Sequence, residues 1–163
     1  MADPIPVDTP AVHQRFAPAC FNRAWELLDK KDRTPAEQEE LLVVAHASLW
    51  HWLQRPEATQ ENLAVGHWLV SRVSAVVGCR DSALQHAERS LERSRNLSPF
   101  SVAYAYEALA RAGAMPNSSD NIASVAARDA LHRALSLLPR IEDPEERGLL
   151  KADLDALDVL IAK

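Results

Sequence analysis

The chain has 163 residues, 47% of them apolar and 25% charged, a composition that supports one core-forming domain without disulfides or metal and argues against wholesale disorder. A formal charge of -5 and an isoelectric point near 5.7 leave no broad basic surface for a phosphate backbone, so nucleic acid is not an expected partner. The opening MADPIPVDTP carries acids and prolines where an export signal needs a basic start and an apolar run, and Arg72 and His67 interrupt the best membrane-span candidate. The expectation is a cytoplasmic protein without a membrane partner, with Cys20 and Cys79 as reduced, mostly buried thiols.

The four glycines and ten prolines punctuate helices. Residues 1–10 read as an extended leader and 11–163 as a single all-helical domain. A first helix spans Val12 to Asp29, with Phe16, Cys20, Phe21, Ala24, Leu27 and Leu28 on one side; Pro18 implies a late start or a kink. Thr34-Pro35-Ala36-Glu37 joins a threonine cap, a proline in the first turn and an acid three residues on, and opens a second helix running to about Gln54. Its inward stripe is Leu42, Ala45, Leu49, Trp52 and Leu53. Thr59 caps a third helix closed by Gly78, and Asp81 caps a fourth that continues to about Asn96. Ser98-Pro99 starts a fifth that ends near Gly113, residues 114–120 form a loop, and a sixth helix stops at Pro139. Asp143-Pro144-Glu145-Glu146 begins the seventh, with Leu149, Leu150, Leu154, Leu157 and Leu160 at helical spacing. No segment alternates as a strand does. The predicted fold class is all-α, about seven antiparallel helices connected by short turns.

Ala83, Ala87, Ser90 and Leu91, with Gly78 at the preceding turn, and then Ala127, Leu131, Ala134, Leu135 and Pro139, follow small and large positions that resemble the second helix of a tetratricopeptide hairpin. The likeness covers roughly residues 62–139. The matched stretches lie about 44 positions apart, against a usual repeat of about 34, with the 114–120 loop absorbing the excess. The chain also resembles small bacterial all-helical proteins, a likeness that carries no chemistry. The tetratricopeptide resemblance implies stacked hairpins whose first helices line a concave surface that binds a peptide, a protein segment or a second copy of the chain. On that surface His67, Ser71, Ser74 and Arg111 become candidate contacts.

The segment AHASLWHW, residues 45–52, sets two histidines and two tryptophans close together. Five residues rotate a helix by about 500 degrees, which leaves His46 and His51 roughly 140 degrees apart, too far around to chelate one metal. In the third helix, Val65, Trp68, Leu69, Val73, Val76 and Val77 leave only a narrow polar strip of His67, Ser71 and Ser74. Arg72 lies in the apolar stripe, where an unpaired charge costs several kcal/mol. Glu107 is the one acid in the fifth helix. It is expected to pair with Arg72 across helices; a local i,i+4 pair with Arg111 is the competing arrangement. Were His46, His51 or His67 beside that pair, with Trp52, Trp68, Tyr104 or Tyr106 as walls, the group would make a small-molecule or acid–base pocket; the other reading is a closed polar network. The candidate ligand residues are therefore His46, His51, Trp52, His67, Trp68, Ser71, Arg72, Tyr104, Glu107 and Arg111, with no metal and no cofactor expected.

Overall fold

A computed structural model describes residues 9–116 and 121–161, and for 121–124 the backbone alone. The first eight residues of the expected leader and the 117–120 part of the expected loop lie outside the described residues. Seven helices follow in chain order: α1 (Pro10–Asp29), α2 (Pro35–Leu53), α3 (Gln60–Val76), α4 (Arg80–Ser94), α5 (Pro99–Gly113), α6 (Asn121–Leu137) and α7 (Pro144–Ile161), with a short 3-10 turn at Leu138–Arg140 before the last. The described residues contain no strand. The chain is all-α.

Local chemistry explains most boundaries. Thr34 accepts from the Glu37 amide while the Glu37 carboxylate accepts from the Thr34 amide, and Thr59 makes the same reciprocal pair with Asn62. Asp143 Oδ1 accepts from the amides of Glu145 and Glu146 at 2.7 and 3.1 Å, which starts α7 behind Pro144. At the end of α3 the Cys79 amide donates to the Ser74 carbonyl at 2.8 Å, and Gly78 donates to Ala75 with φ at +88 degrees. That double closure needs a left-handed residue, which glycine supplies without a Cβ penalty. Arg33 completes the end of α1 by donating to the carbonyls of Leu27, Leu28 and Lys30.

Two expected boundaries move. Pro10 already lies in α1, and the helix runs through Pro18 instead of beginning after it. Only one helical hydrogen bond lacks a donor there. Cys79, not Asp81, is the residue before α4, and Asp81 sits in its first turn.

Helices pack as sequential pairs, α1 with α2, α3 with α4 and α5 with α6; α1, α3, α5 and α7 also touch in succession. They form one continuous face. Two apolar clusters hold the stack, one built around Leu27, Leu41, Leu49, Leu69, Val70 and Val73, the other around Leu131, Leu150, Leu154 and Leu157 with the small residues Ala103, Ala110 and Ala134.

Serines at the contacts let neighbouring helices approach closely. Ser48 Oγ donates to the Ala17 carbonyl at 2.8 Å, Ser71 to Ala83 at 2.8 Å and Ser90 to Ala64 at 3.0 Å, all of them buried. Each small side chain meets a small residue across the interface and leaves no unsatisfied hydroxyl. At the α2–α3 contact a Cβ on Gly66 would lie 3.0 Å from Leu49 Cδ1 and 3.8 Å from Leu49 Cα, so a larger residue there requires the Leu49 side chain to shift.

Ala24 and Leu27 of α1 and Ala45 and Leu49 of α2 are buried as their stripes imply, and single positions differ. Ser48 is buried in α2 while Leu53 is 49% exposed, and Phe16 of α1 is 43% exposed while His13 and Ala17 are buried. Of the α7 leucines, 150, 154 and 157 are buried, but Leu149 and Leu160 are exposed. The cysteines are not mostly buried: Cys79 is exposed and Cys20 only half-buried.

Candidate functional site

The continuous face of first helices carries a groove of about 430 Å3. Spacing explains how α3 supplies its wall: Glu61, Val65, Trp68 and Arg72 follow one another by four, three and four residues and so share a side of the helix. Phe100 and Tyr104 reach it from α5, Trp25 from α1, and Leu149 and Asp153 from α7. The Trp68 and Tyr104 rings meet at 74 degrees with centroids 5.3 Å apart, and Phe100 meets Tyr104 at 85 degrees and 4.9 Å. These edge-to-face contacts are the arrangement that aromatic quadrupoles prefer. Trp25 closes the other side, 5.8 Å from Trp68.

Beneath the aromatic wall lies a network of four charges. Glu107 is wholly buried. Its Oε1 accepts from Arg111 Nε at 2.7 Å and also from Arg111 Nη2, its Oε2 accepts from the Trp68 indole at 3.2 Å, and Arg72 Nη1 stands 3.6 Å away. The cross-helix pair and the local i,i+4 pair, set against each other above, are both present. Asp153 then joins the guanidinium groups from α7, with Oδ1 at 3.3 Å from Arg72 Nη2 and 3.6 Å from Arg111 Nη2. The Tyr104 hydroxyl donates to Asp153 Oδ2 at 3.3 Å. Burial, assisted by the charges of Asp153 and Glu107, raises the Tyr104 pKa well above that of a free phenol. Arg72 also lies 5.6 and 5.7 Å from the Trp68 and Trp25 ring centroids, so its charge is met by carboxylates and by aromatic rings together. The Arg72 side chain is 20% exposed, at the groove wall.

The histidines go elsewhere. His51 packs on α1, its Nδ1 2.9 Å from His13 Nδ1, and Phe16 stacks on its ring. Burial, then the neighbouring His13, lowers the His51 pKa. His46 is exposed on α2 and touches the edge of His86 from α4. His86 in turn stands 3.1 Å, Nδ1 to Nδ1, from His67, and burial pushes both of these imidazoles down to about 4. Arg89 and Arg93 press His67 the same way, while Glu92 opposes them weakly. Among the described residues no group of three or more His, Cys, Asp or Glu side chains is arranged to hold a metal ion.

The expected candidates therefore divide. Trp68, Arg72, Tyr104, Glu107 and Arg111 come together in the groove and the network below it. His46, His51 and Trp52 do not join them; Trp52 is half-buried, with Arg55 over its ring at 4.3 Å. His67, Ser71 and Ser74, expected on the open surface, are buried against α4, where Ser71 donates to Ala83 and Ser74 bonds Ser82. Part of the apolar stripe around Arg72 faces the groove instead: Val65 and Trp68 line it, while Leu69 and Val73 are buried in the core. Short polar side chains that bond to a neighbouring helix can be buried at little cost, so polarity misidentifies the open side.

Trp25, Phe100, Glu61, Asp153 and His86 were not among the residues singled out from the sequence. Phe100 precedes Tyr104 by four, a spacing that could have marked it. Asp153 is flanked by the leucines of α7, and nothing local distinguishes it from a solvated acid. No family model, curated protein or solved structure matches the chain. Among the described residues no helix is long and apolar enough to cross a membrane.

Proposed function

We propose that this protein is an interaction module, a stack of tetratricopeptide-like helix pairs that binds a peptide or protein segment along the face of α1, α3, α5 and α7. The observation that carries this reading is the open, aromatic-walled groove of about 430 Å3 on that face. Its size is that of a recognition pocket, and large rigid rings provide contact area at small entropic cost. The ionisable groups under it are engaged with one another, as suits a rigid binding floor. A freely titrating acid–base pair is not what such a floor provides. A pocket built from His46, His51, Arg72 and Glu107 finds less support, since the two histidines pack on α1 and α4 residues away from the groove. The free thiols Cys20 and Cys79 suit a cytoplasmic setting.

The test is selection from a peptide display library on the immobilised protein, followed by calorimetric titration of recovered peptides against wild type and the Trp68→Leu and Tyr104→Ala variants. Binding should fall at least ten-fold in folded variants. Peptides that bind both variants as tightly as wild type would remove the groove from the reading.

A further inference from the structure

The chemistry of the groove narrows what it can hold. Most donors nearest the cavity are already engaged: Trp68 donates to Glu107, Tyr104 to Asp153, Ser90 to the Ala64 carbonyl, Ser94 to the Ser90 carbonyl, and Arg72, partly exposed at the wall, to Asp153. Acceptors remain on the open side. Glu61 is exposed at one end of the groove, and Asp153 keeps 27% of its side-chain exposure with contacts of 3.3–3.6 Å, longer than the 2.7–2.9 Å of a tight charged hydrogen bond. Arg72 and Arg111 balance Glu107 and Asp153, which leaves Glu61 as the net charge of the site. An anion would have to displace Glu107 or Asp153 from Arg72 while facing Glu61. A cation seated toward Glu61, about three turns of α3 away from the Arg72 position, meets an exposed carboxylate and ring faces instead.

We propose that the groove recognises a lysine-class ammonium side chain of the bound segment, with the Trp25, Trp68, Phe100 and Tyr104 rings around its alkyl stem and Glu61 receiving the charged end. This rests on the peptide-binding reading and names the anchor. Near-perpendicular rings from α3 and α5, with Trp25 opposite, make the walls that a cation–π contact uses, and the seating of Arg72 against Trp25 and Trp68 is the same interaction made internally.

Four capped tripeptides, Ac-Ala-Xaa-Ala-amide with Xaa lysine, trimethyl-lysine, norleucine or glutamate, test it on the full chain, with the Trp25 and Trp68 indole resonances as the NMR readout. The lysine and trimethyl-lysine peptides should shift those resonances and bind at least ten-fold more tightly than norleucine. Glutamate should not shift them. Glu61→Gln, an exposed substitution that leaves the fold intact, should weaken the lysine peptide about three-fold and reduce the salt dependence of its binding. The proposal is overturned if norleucine or glutamate matches lysine, if Glu61→Gln changes nothing, or if none of the four shifts the indoles. The display selection remains separate from these outcomes: recovered peptides that need Trp68 but carry no lysine would keep the groove and refute the ammonium anchor.

Discussion

Replacing Glu107 by glutamine removes one charge from the centre of the network while preserving its shape and an oxygen for the Trp68 indole. Two guanidinium groups would then share Asp153 alone, whose contacts are 3.3–3.6 Å long. Breaking a buried ion pair by removing one partner costs about 3–5 kcal/mol. Arg72 and Arg111 keep 20% and 22% of their side-chain exposure, so water recovers part of that loss and the expected destabilisation is about 2–3 kcal/mol. For a chain of this size each kcal/mol lowers Tm by about 2–4 °C, giving a fall of about 4–12 °C. Urea titration followed by circular dichroism measures the free energy directly. Arg72→Met and the Arg72→Met/Glu107→Gln double variant complete a cycle with an expected coupling of about 1 kcal/mol or more. A Glu107→Gln loss below about 0.5 kcal/mol, or strict additivity in the cycle, would refute the claim that these charges depend on one another.

His67 and His86 are neutral in the fold, with pKa values lowered from 6.5 to about 4, so stability is complete above pH 6.5 and declines as pH falls from 6.5 toward 4. Urea midpoints should drop across that window, and a His67→Gln/His86→Gln variant should show a flatter profile; an equal slope would assign the loss to other groups. Gly78→Ala places a Cβ at φ of +88 degrees and should cost about 1–2 kcal/mol, measured by thermal unfolding, although no neighbouring atom crowds it. Ser71→Ala should cost about 0.5–1.5 kcal/mol through the lost bond to Ala83, and Ser71→Val about 1–3 kcal/mol because it also forces α3 and α4 apart. An unchanged urea midpoint for the valine variant would contradict that close approach.

The elements of this protein were legible in its sequence because their signals are local. Thr34 with Glu37, Ser98 before Pro99, Asp143 before Pro144 and Gly78 after α3 each act within one helical turn, and each stands where its helix begins or ends. The Arg72–Glu107 pair was legible for a different reason. A lone acid and a charge in an apolar stripe each require compensation, so two such anomalies on helices that can touch point to one another.

The orientation of α3 was not legible, and neither were the residues that complete the site. His67, Ser71 and Ser74 look like an exposed strip, yet backbone carbonyls and side chains of α4 satisfy them, leaving Val65, Trp68 and Arg72 to face the groove. Trp25, Glu61, Phe100 and Asp153 belong to four different helices and acquire a common purpose only when α1, α3, α5 and α7 lie side by side. Helix starts and stops depend on neighbours within a few residues, which the sequence contains. Which face of a helix is open to a ligand depends on what the adjacent helix offers as packing and hydrogen-bond partner, and only the tertiary structure decides that.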